Sequence, residues 1–551
     1  MKKLGNGTNK LFNFRPIFFS AAALCFGILF SYLHRFYDVS VWWLCLLLPF
    51  IGASFCFYRT KRQFFRAFAA WGGFVLFFVC GFAGFELQIR DFENASAFSG
   101  ECYVVGTIKE KWEGKYNAWF VLEDVHVNGE SSKFKLNAYL PMSFYENIEI
   151  CDEVLLVGNI QTNTNVFVDG AFHSYSVDEG LVYTVYAEDC LVTGENVEMF
   201  SYLRMRLQDR VYAGMGEDAA AVTMAVLTGE TSGIDEGLLD NMRRGGIAHI
   251  FAVSGLHVGA LYGFCLLLLQ KTKLKKLPKI GRFCLLACLL LFYGGICGFS
   301  PSIVRAVTLC LVSYAAKQFL SSVDFLETLG FSAILILFLS PVDLFNVGFQ
   351  LSFAACLGIV LLQKRIGQVC VELGKVYRKC FPRRLSEEQR KMVEQGDTLP
   401  STFLGQIGRS VSSAFSVSLA AQLGTAPIQL MCFGYLSGWS ILLNVAFVPL
   451  ISAIFSLLLS LAFFACLLPT AASSVILYLP NLFWSFSLLL FETVDFSTFS
   501  LTGTLSYQAC ICYYFGLIFM TDKLHLSAVF KRLGAVVCFF VVIFLFLAGN
   551  L

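Results

Sequence analysis

Apolar and polar positions alternate along this chain on two length scales. Thirteen long apolar runs stand near residues 17–33, 41–58, 68–87, 247–269, 283–298, 302–320, 325–340, 344–363, 411–432, 437–467, 473–491, 505–521 and 533–550. Each is close to the roughly 20 residues that a helix needs to cross a bilayer. The run at 437–467 is too long for one straight crossing and holds Asn444 and Pro449, so it is expected to be broken or re-entrant. Between the third and fourth runs the period shortens. Residues 91–200 carry strand-like stretches, "CYVVGTIKE", "NAWFVLEDVHV", "KFKLNAYLP", "EVLLVGNIQ" and "LVYTVYAED", parted by turn signals such as "NGE". Residues 201–246 begin with "SYLRMRLQDRVYAGM", whose charged and apolar groups recur at helical spacing. That pattern predicts an amphipathic helical segment along the membrane surface.

Charge orients these runs. Charged residues are 15% of the 551, against 57% apolar, which points to a polytopic membrane protein. Basic loops face the cytoplasm. They occur at Lys2, Lys3, Lys10 and Arg15, at 59–66, at 271–282, within 364–410 (Arg383, Arg384, Arg390, Lys391) and at Lys531 and Arg532. One crossing per run places all of them inside and residues 88–246 outside. The N-terminal apolar run lacks a small-residue cleavage site and reads as a retained first span. Most of the 20 cysteines lie inside apolar runs as small packing residues.

The segment 91–200 reads as a five-stranded barrel of OB type. Such barrels bind single strands through aromatic platforms and basic grooves, and Trp112, Tyr116 and Trp119 are candidate stacking groups. Its charge argues the other way, with 19 acidic residues against 5 lysines, a net of −14. The domain is expected to bind DNA weakly or to serve as gate and scaffold. In an oxidising exterior, Cys151 and Cys190 are expected to staple the last strand to the barrel, with Cys102 a rival partner.

Candidate chemistry concentrates in "GGIAHIFAVSGLHVGAL" at 245–261. On a helix over 248–260, with His249 at zero, His257 falls at roughly 80° and Ser254 at roughly 140°. Ala248, Ala252, Gly255 and Gly259 gather on the opposite, small face. The small face permits close helix approach, and the polar face points to a cavity or a polar interface. Helix-bridging histidines are the plainer alternative. In "GICGFSPSIVRA", Ser300 and Pro301 cap a helix, with Ser302 and Arg305 in its first turns, a favourable place for an anion or else an ordinary cap with a snorkelling arginine. Gln350 opens another span. A small-molecule transporter with a midplane site fits the same composition, though no inverted repeat is visible. An intramembrane hydrolase using Ser254 and His257 lacks both a GxSxG elbow and an acidic orienter.

Taken together, "LTGETSGIDEGLLDNMRRGGIAHIFAVSGLHVG", "GFSPSIVRA", "PVDLFNVGFQLSFAA" and "AQLGTAPIQLMCFGYLSGWSILLNVAFVPL" resemble the ComEC family of competence DNA-uptake channels, in order across most of 201–470. The resemblance implies a polytopic α-helical membrane protein of the cell membrane with an inserted extracellular OB-like β domain. Three N-terminal spans occupy 1–90, the β domain 91–200, the interfacial segment 201–246 and the competence-type channel domain 247–551, with a basic cytoplasmic loop at 364–410. It implies passage of single-stranded DNA during natural transformation. Arg243 and Arg244 would stand at the outer mouth, and His249, Ser254, Gly255, His257, Ser302, Arg305, Gln350 and Asn444 along the path. It implies a helicase-like ATPase motor as partner, because this chain has no GxxxxGK[ST] loop. A DNA receptor on the outer side and the lipid bilayer are further expected partners. Many members end in a metallo-β-lactamase-like domain. The six histidines here form no HxHxDH cluster, so no metal, cofactor or nuclease activity is expected, and a separate nuclease would degrade the second strand.

Overall fold

A computed structural model describes residues 15–40, 61–380 and 403–550, with short breaks at 114–116, 146, 169–170, 196–198, 232, 248, 250–253, 320–323, 467, 469, 495 and 522–526. The expected second span at 41–58 lies outside the described residues.

The period-two segment folds into β1 (Ser99–Glu113), β2 (Asn117–Val127), β3 (Lys135–Pro141), β4 (Asp152–Thr162) and β5 (Leu181–Glu195). A one-and-a-half-turn helix, α3 (Ser174–Glu179), precedes β5. β1 pairs with both β2 and β4, β4 with β5, β5 with β3 and β3 with β2, so the circle of pairings closes. The β3–β5 pair is parallel and the others are antiparallel. Alternate side chains such as Ala118, Phe120 and Leu122 fill the inside. Cys190 lies opposite Leu156, five residues along β4 from Cys151, or about 16 Å of strand. That exceeds disulfide reach, and both thiols are free, so the expected Cys151–Cys190 staple is corrected.

The helical part begins with α1 (Pro16–Tyr37) and α2 (Lys61–Glu93). They cross at glycines: a Cβ on Gly27 would lie 2.0 Å from the Phe78 carbonyl oxygen, and one on Gly81 2.3 Å from that of Leu24. Only a residue without a side chain lets the two backbones meet so closely. Next come α4 (Met199–Gly214), α5 (Glu217–Thr228) and α6 (Glu236–Arg244). Every residue from Ala219 to Thr228 is buried, and α4 buries Leu207 and Val211. α4 thus has one buried and one exposed side, Tyr202 and Met205 being exposed, whereas α5 departs from the interfacial reading of 201–246: small residues on all sides let it pack as a core helix.

The remaining helices are α7 (Gly255–Lys271), α8 (Lys279–Ile296), α9 (Pro301–Phe319), α10 (Phe325–Leu339), α11 (Val347–Cys380), α12 (Phe403–Phe433), α13 (Trp439–Cys466), α14 (Thr470–Thr493), α15 (Tyr507–Phe519) and α16 (Ala528–Asn550). Among the described residues, five helices are long and apolar enough to cross a membrane. The stretch Trp439–Cys466 is a sixth, bent by 46° between Ile451 and Ile454. Pro449 lies two residues before the bend, where its ring removes one backbone donor from the helix. The basic segment expected as a loop from 364 is helical as far as Cys380, and 381–402 lies outside the described residues.

Sheet and helices share one core. Val104, Leu122, Val154 and Val185 of the sheet belong to the same buried cluster as Leu24 and Ile28 of α1, Phe85 and Ile89 of α2, and Ile336 and Leu337 of α10. Polar ties reinforce it. Arg15 bonds Asp324 at 2.6 Å, the Phe18 amide donates to Glu327 at 3.0 Å, and Arg35 joins α1 to Glu86 and Glu93 of α2.

Candidate functional site

The stretch that holds the histidines starts its helix later than its apolar run. The helix opens at Gly255, with Ser254 as N-cap and His257 at the third position. The Ser254 amide donates to His257 Nδ1 at 3.1 Å, so the ring's own proton sits on Nε2. The angular argument built on a helix over 248–260 is corrected for this reason. His257 is fully buried, its ring centroid 4.7 Å from that of Phe455, rather than on an open face. The Ser254 hydroxyl also lies 3.3 Å from Nδ1, so both polar groups of Ser254 face the ring at the start of the helix. His257→Ala is therefore expected to lower thermal stability by roughly 0.5–2 kcal/mol, and His257→Asn, with an acceptor of similar reach, to restore part of it. Differential scanning fluorimetry of the purified chain checks both.

His249 precedes the helix. It remains accessible although protein surrounds it, and its ring bonds the Gly246 carbonyl, which places it on the wall of a recess. Gly246 has φ of 72°, and a Cβ there would lie 2.5 Å from Ser440 Cβ, so only glycine lets this loop press against α13. The small face of α7 is also corrected. Gly255 meets Ala306 at 3.8 Å, but a Cβ on Gly259 or Gly263 would meet nothing within 4 Å. These glycines border open space.

A second cluster sits where α9 meets α11. Arg305 is buried, and its Nε and Nη1 have no hydrogen-bond partner. Its Nη2 lies 3.0 Å from where a Cβ on Gly348 would stand, against the first turn of α11. Two positive features, a guanidinium and a helix N-terminus, meet there and call for an anion. Asp178 of α3 and Asp343, in the short 3-10 turn Pro341–Phe345, are the carboxyl groups that face the guanidinium. Ser340 donates to Asp178 at 2.7 Å, and Gln88 of α2 reaches Ser340 at 3.2 Å and the Val342 amide at 3.1 Å. Burial, then the Asp178 carboxylate, push the Asp343 carboxyl up to about 7 against the pull of Arg305. Ser302 is half-buried, and Gln350 is turned back to the Leu344 carbonyl at 3.0 Å.

A third cluster escaped the sequence reading. Ser440 at the start of α13 donates to Gln422 of α12 at 2.8 Å, and Gln429 donates to Thr425 at 3.2 Å. Positions 422, 425 and 429 follow helical spacing, so they form a polar stripe on an otherwise apolar helix. Asn444 stands one turn beyond Ser440, with its Oδ1 buried and unpartnered. Arg243 and Arg244 end α6 on the surface, where Arg244 pairs with Asp240 at 2.8 Å and the Tyr435 hydroxyl donates to the Arg243 carbonyl at 3.2 Å.

The three clusters sit on one closed circuit of helices. α7 packs on α9, α9 on α11, α11 on α12, α12 on α13 and α13 back on α7. Among the described residues, helices on opposite sides of the circuit are packed less extensively than neighbours, although Ile303 and Val307 of α9 share a buried cluster with Ile451 and Phe455 of α13. The α11–α12 step is the tightest, with Gly358 and Gly424 lying against the Ala420 and Ala354 carbonyls.

The family profile described as "Competence protein" matches residues 226–526, the stretch that contains this whole circuit. The chain belongs to the competence protein family. A similar protein is ComE operon protein 3 of Bacillus subtilis (strain 168), 24% identical over 460 residues, which are 79% of this chain and 49% of that protein. This chain thus spans about half the length of that relative. The Uncharacterized protein MG316 homolog of Mycoplasma pneumoniae is 33% identical over 120 residues, 21% of this chain and 29% of that protein. No solved structure matches.

In this competence protein the β domain carries a fourth cluster. Trp112, Trp119, Tyr139 and Tyr186 stand side by side across β1, β2, β3 and β5 by strand register. Successive ring centroids are 4.8, 6.3 and 5.3 Å apart. Trp112 and Trp119 were legible as aromatic candidates. Tyr139 and Tyr186 were missed because their alignment depends on a parallel pairing of distant strands, and Tyr116 lies outside the described residues. Among the described residues no group of histidine, cysteine and carboxylate side chains is placed to hold a metal.

Proposed function

We propose that this competence protein passes single-stranded DNA across the cytoplasmic membrane through the space bounded by α7, α9, α11, α12 and α13. The observation that carries the reading is the closed circuit itself, with glycines open to space on α7 and a polar stripe on α12. A polyanion needs a hydrated path with small and polar walls and few strong stops. His249, Ser254, Gly255, the Gln422–Ser440 pair and Asn444 meet that need. Arg305, with spare donors, stands at the outer end near Ser302 and Gln350, and Arg243 and Arg244 supply further cations on the surface. His257 serves the path from behind, by fixing the start of α7. The closed five-stranded sheet acts as an extracellular OB-like barrel, and its aromatic row offers sequence-independent stacking. The acidity of that domain keeps such contacts weak, as suits a strand in transit. A cytoplasmic ATPase, an outer DNA receptor and a separate nuclease complete the process as partners.

Site-specific photocrosslinking tests this route. A benzoylphenylalanine at Tyr139 and another at Gly263 should each capture labelled single-stranded DNA during uptake by cells carrying the chain. The same group at Phe540, on the exposed side of α16, should capture none. Equal capture at Phe540 and Gly263 ends the proposal.

A further inference from the structure

At the end of the chain a cavity of about 860 Å³ opens between α15, α16 and α11. Its walls are sorted by chemistry. Arg365, Lys531 and Arg532 stand beside the last residues of α15 and near the start of α16, and among the described residues no acidic residue lines the cavity. Beyond them Val536, Phe540 and Ile543 continue along α16 at helical spacing, for about 16 Å of depth past Arg532. These three are 66%, 70% and 58% exposed in a helix of crossing length, so this wall opens on the bilayer rather than on water. Lys531 spends one donor on the Thr521 carbonyl at 3.3 Å and keeps two.

A slot with a three-cation rim and a long apolar wall, open to lipid, matches a molecule with an anionic head on a hydrocarbon chain. Basic pockets between spans hold anionic headgroups by this pairing. We propose that this cavity binds an anionic glycerophospholipid, with its phosphate among Arg365, Lys531 and Arg532 and one acyl chain along α16. The site is separate from the conducting route and stands whether or not the chain conducts DNA. The Tyr513 and Tyr514 hydroxyls tie α15 to the Leu423 and Gly424 carbonyls of α12, whereas α16 packs mainly on α15, and a lipid wedged against α11 would tie α16 down.

Native mass spectrometry of the full chain in detergent, with phosphatidylglycerol and phosphatidylcholine of the same acyl chains, tests the site. The chain should retain phosphatidylglycerol over phosphatidylcholine by at least about tenfold. The double variant K531Q/R532Q should lose that preference, and Arg365→Gln should weaken it if the double variant fails to fold. Ala535→Phe, which fills the slot without touching charge, should reduce retention of the lipid itself. Glycerol 3-phosphate and a short oligonucleotide should not displace the lipid. Unchanged preference in both charge variants overturns the proposal. So does displacement by the oligonucleotide, which would make the rim a nucleic-acid contact, or displacement by glycerol 3-phosphate together with full retention in Ala535→Phe.

Discussion

Gly259→Leu and Gly263→Leu are each expected to cut uptake of single-stranded DNA by at least about tenfold, equivalent to roughly 1.4 kcal/mol of added barrier, while the protein stays folded in the membrane. A Cβ at either position meets nothing within 4 Å, so the new side chain starts into open space. The helix itself gains, because leucine in place of glycine favours the helical state by roughly 0.8–1 kcal/mol. Transport and stability therefore move in opposite directions, which no packing defect does. Labelled-strand uptake and thermal unfolding, measured on the same preparations, give the answer. Normal uptake in both variants would place the route elsewhere. Loss of the protein from the membrane would mean that α7 needs its glycines for packing.

Stability of the junction between sheet and helices is expected to fall as pH rises from about 4 to above 7. Asp343 carries the effect. Its carboxyl keeps its proton up to about 7 in the folded chain, against an ordinary value of 3.8. The folded state thus binds the extra proton throughout that window, and the stability it confers is complete below the lower value and lost through the upper one. The groups that face it are Asp178 and Glu179 from α3, which hold the proton on, and Arg305 from α9, which draws it off. Asp343→Asn should flatten this part of the profile and stabilise the chain at pH 8 by on the order of 1 kcal/mol, after allowance for screening by nearby water. Asp178→Asn should act in the same direction. Thermal unfolding in nanodiscs between pH 5 and 8 measures it. A wild-type curve as flat as that of Asp343→Asn would show that the pair does not share a proton.

The local code was legible where one period dominated. The stretch 117–127 was read as a strand at the bounds it takes, and 153–161 within one residue at either end, because alternate residues such as Val154, Leu156 and Ile160 face the interior. The bend near Pro449 followed from length and one proline. The start of α7 was misread because "GIAHIFAV" is as apolar as a helix, while the serine three residues before His257 carried the cap signal. The stripe of Gln422, Thr425 and Gln429 was present in plain spacing and went unread. Other features had no local signature. Asp178 and Asp343 meet across two domains, and the disulfide reading failed because proximity in the sheet depends on register, which cysteine spacing does not encode.

The continuous core beneath the sheet decides what can be exchanged between related proteins. Residues of β1, β2, β4 and β5 are buried with residues of α1, α2 and α10, so cutting the chain at 99 and 195 does not free a finished module. A graft of residues 99–195 alone would carry Phe172 away from Tyr32 and Phe85, and Phe134 away from Phe92. Recombination can move this region intact only when the sheet travels with its three supporting helices. One of those helices, α10, lies more than 130 residues downstream of the last strand and inside the competence segment. The two parts are therefore bound to a common inheritance, and a change on either side of the seam must be answered on the other.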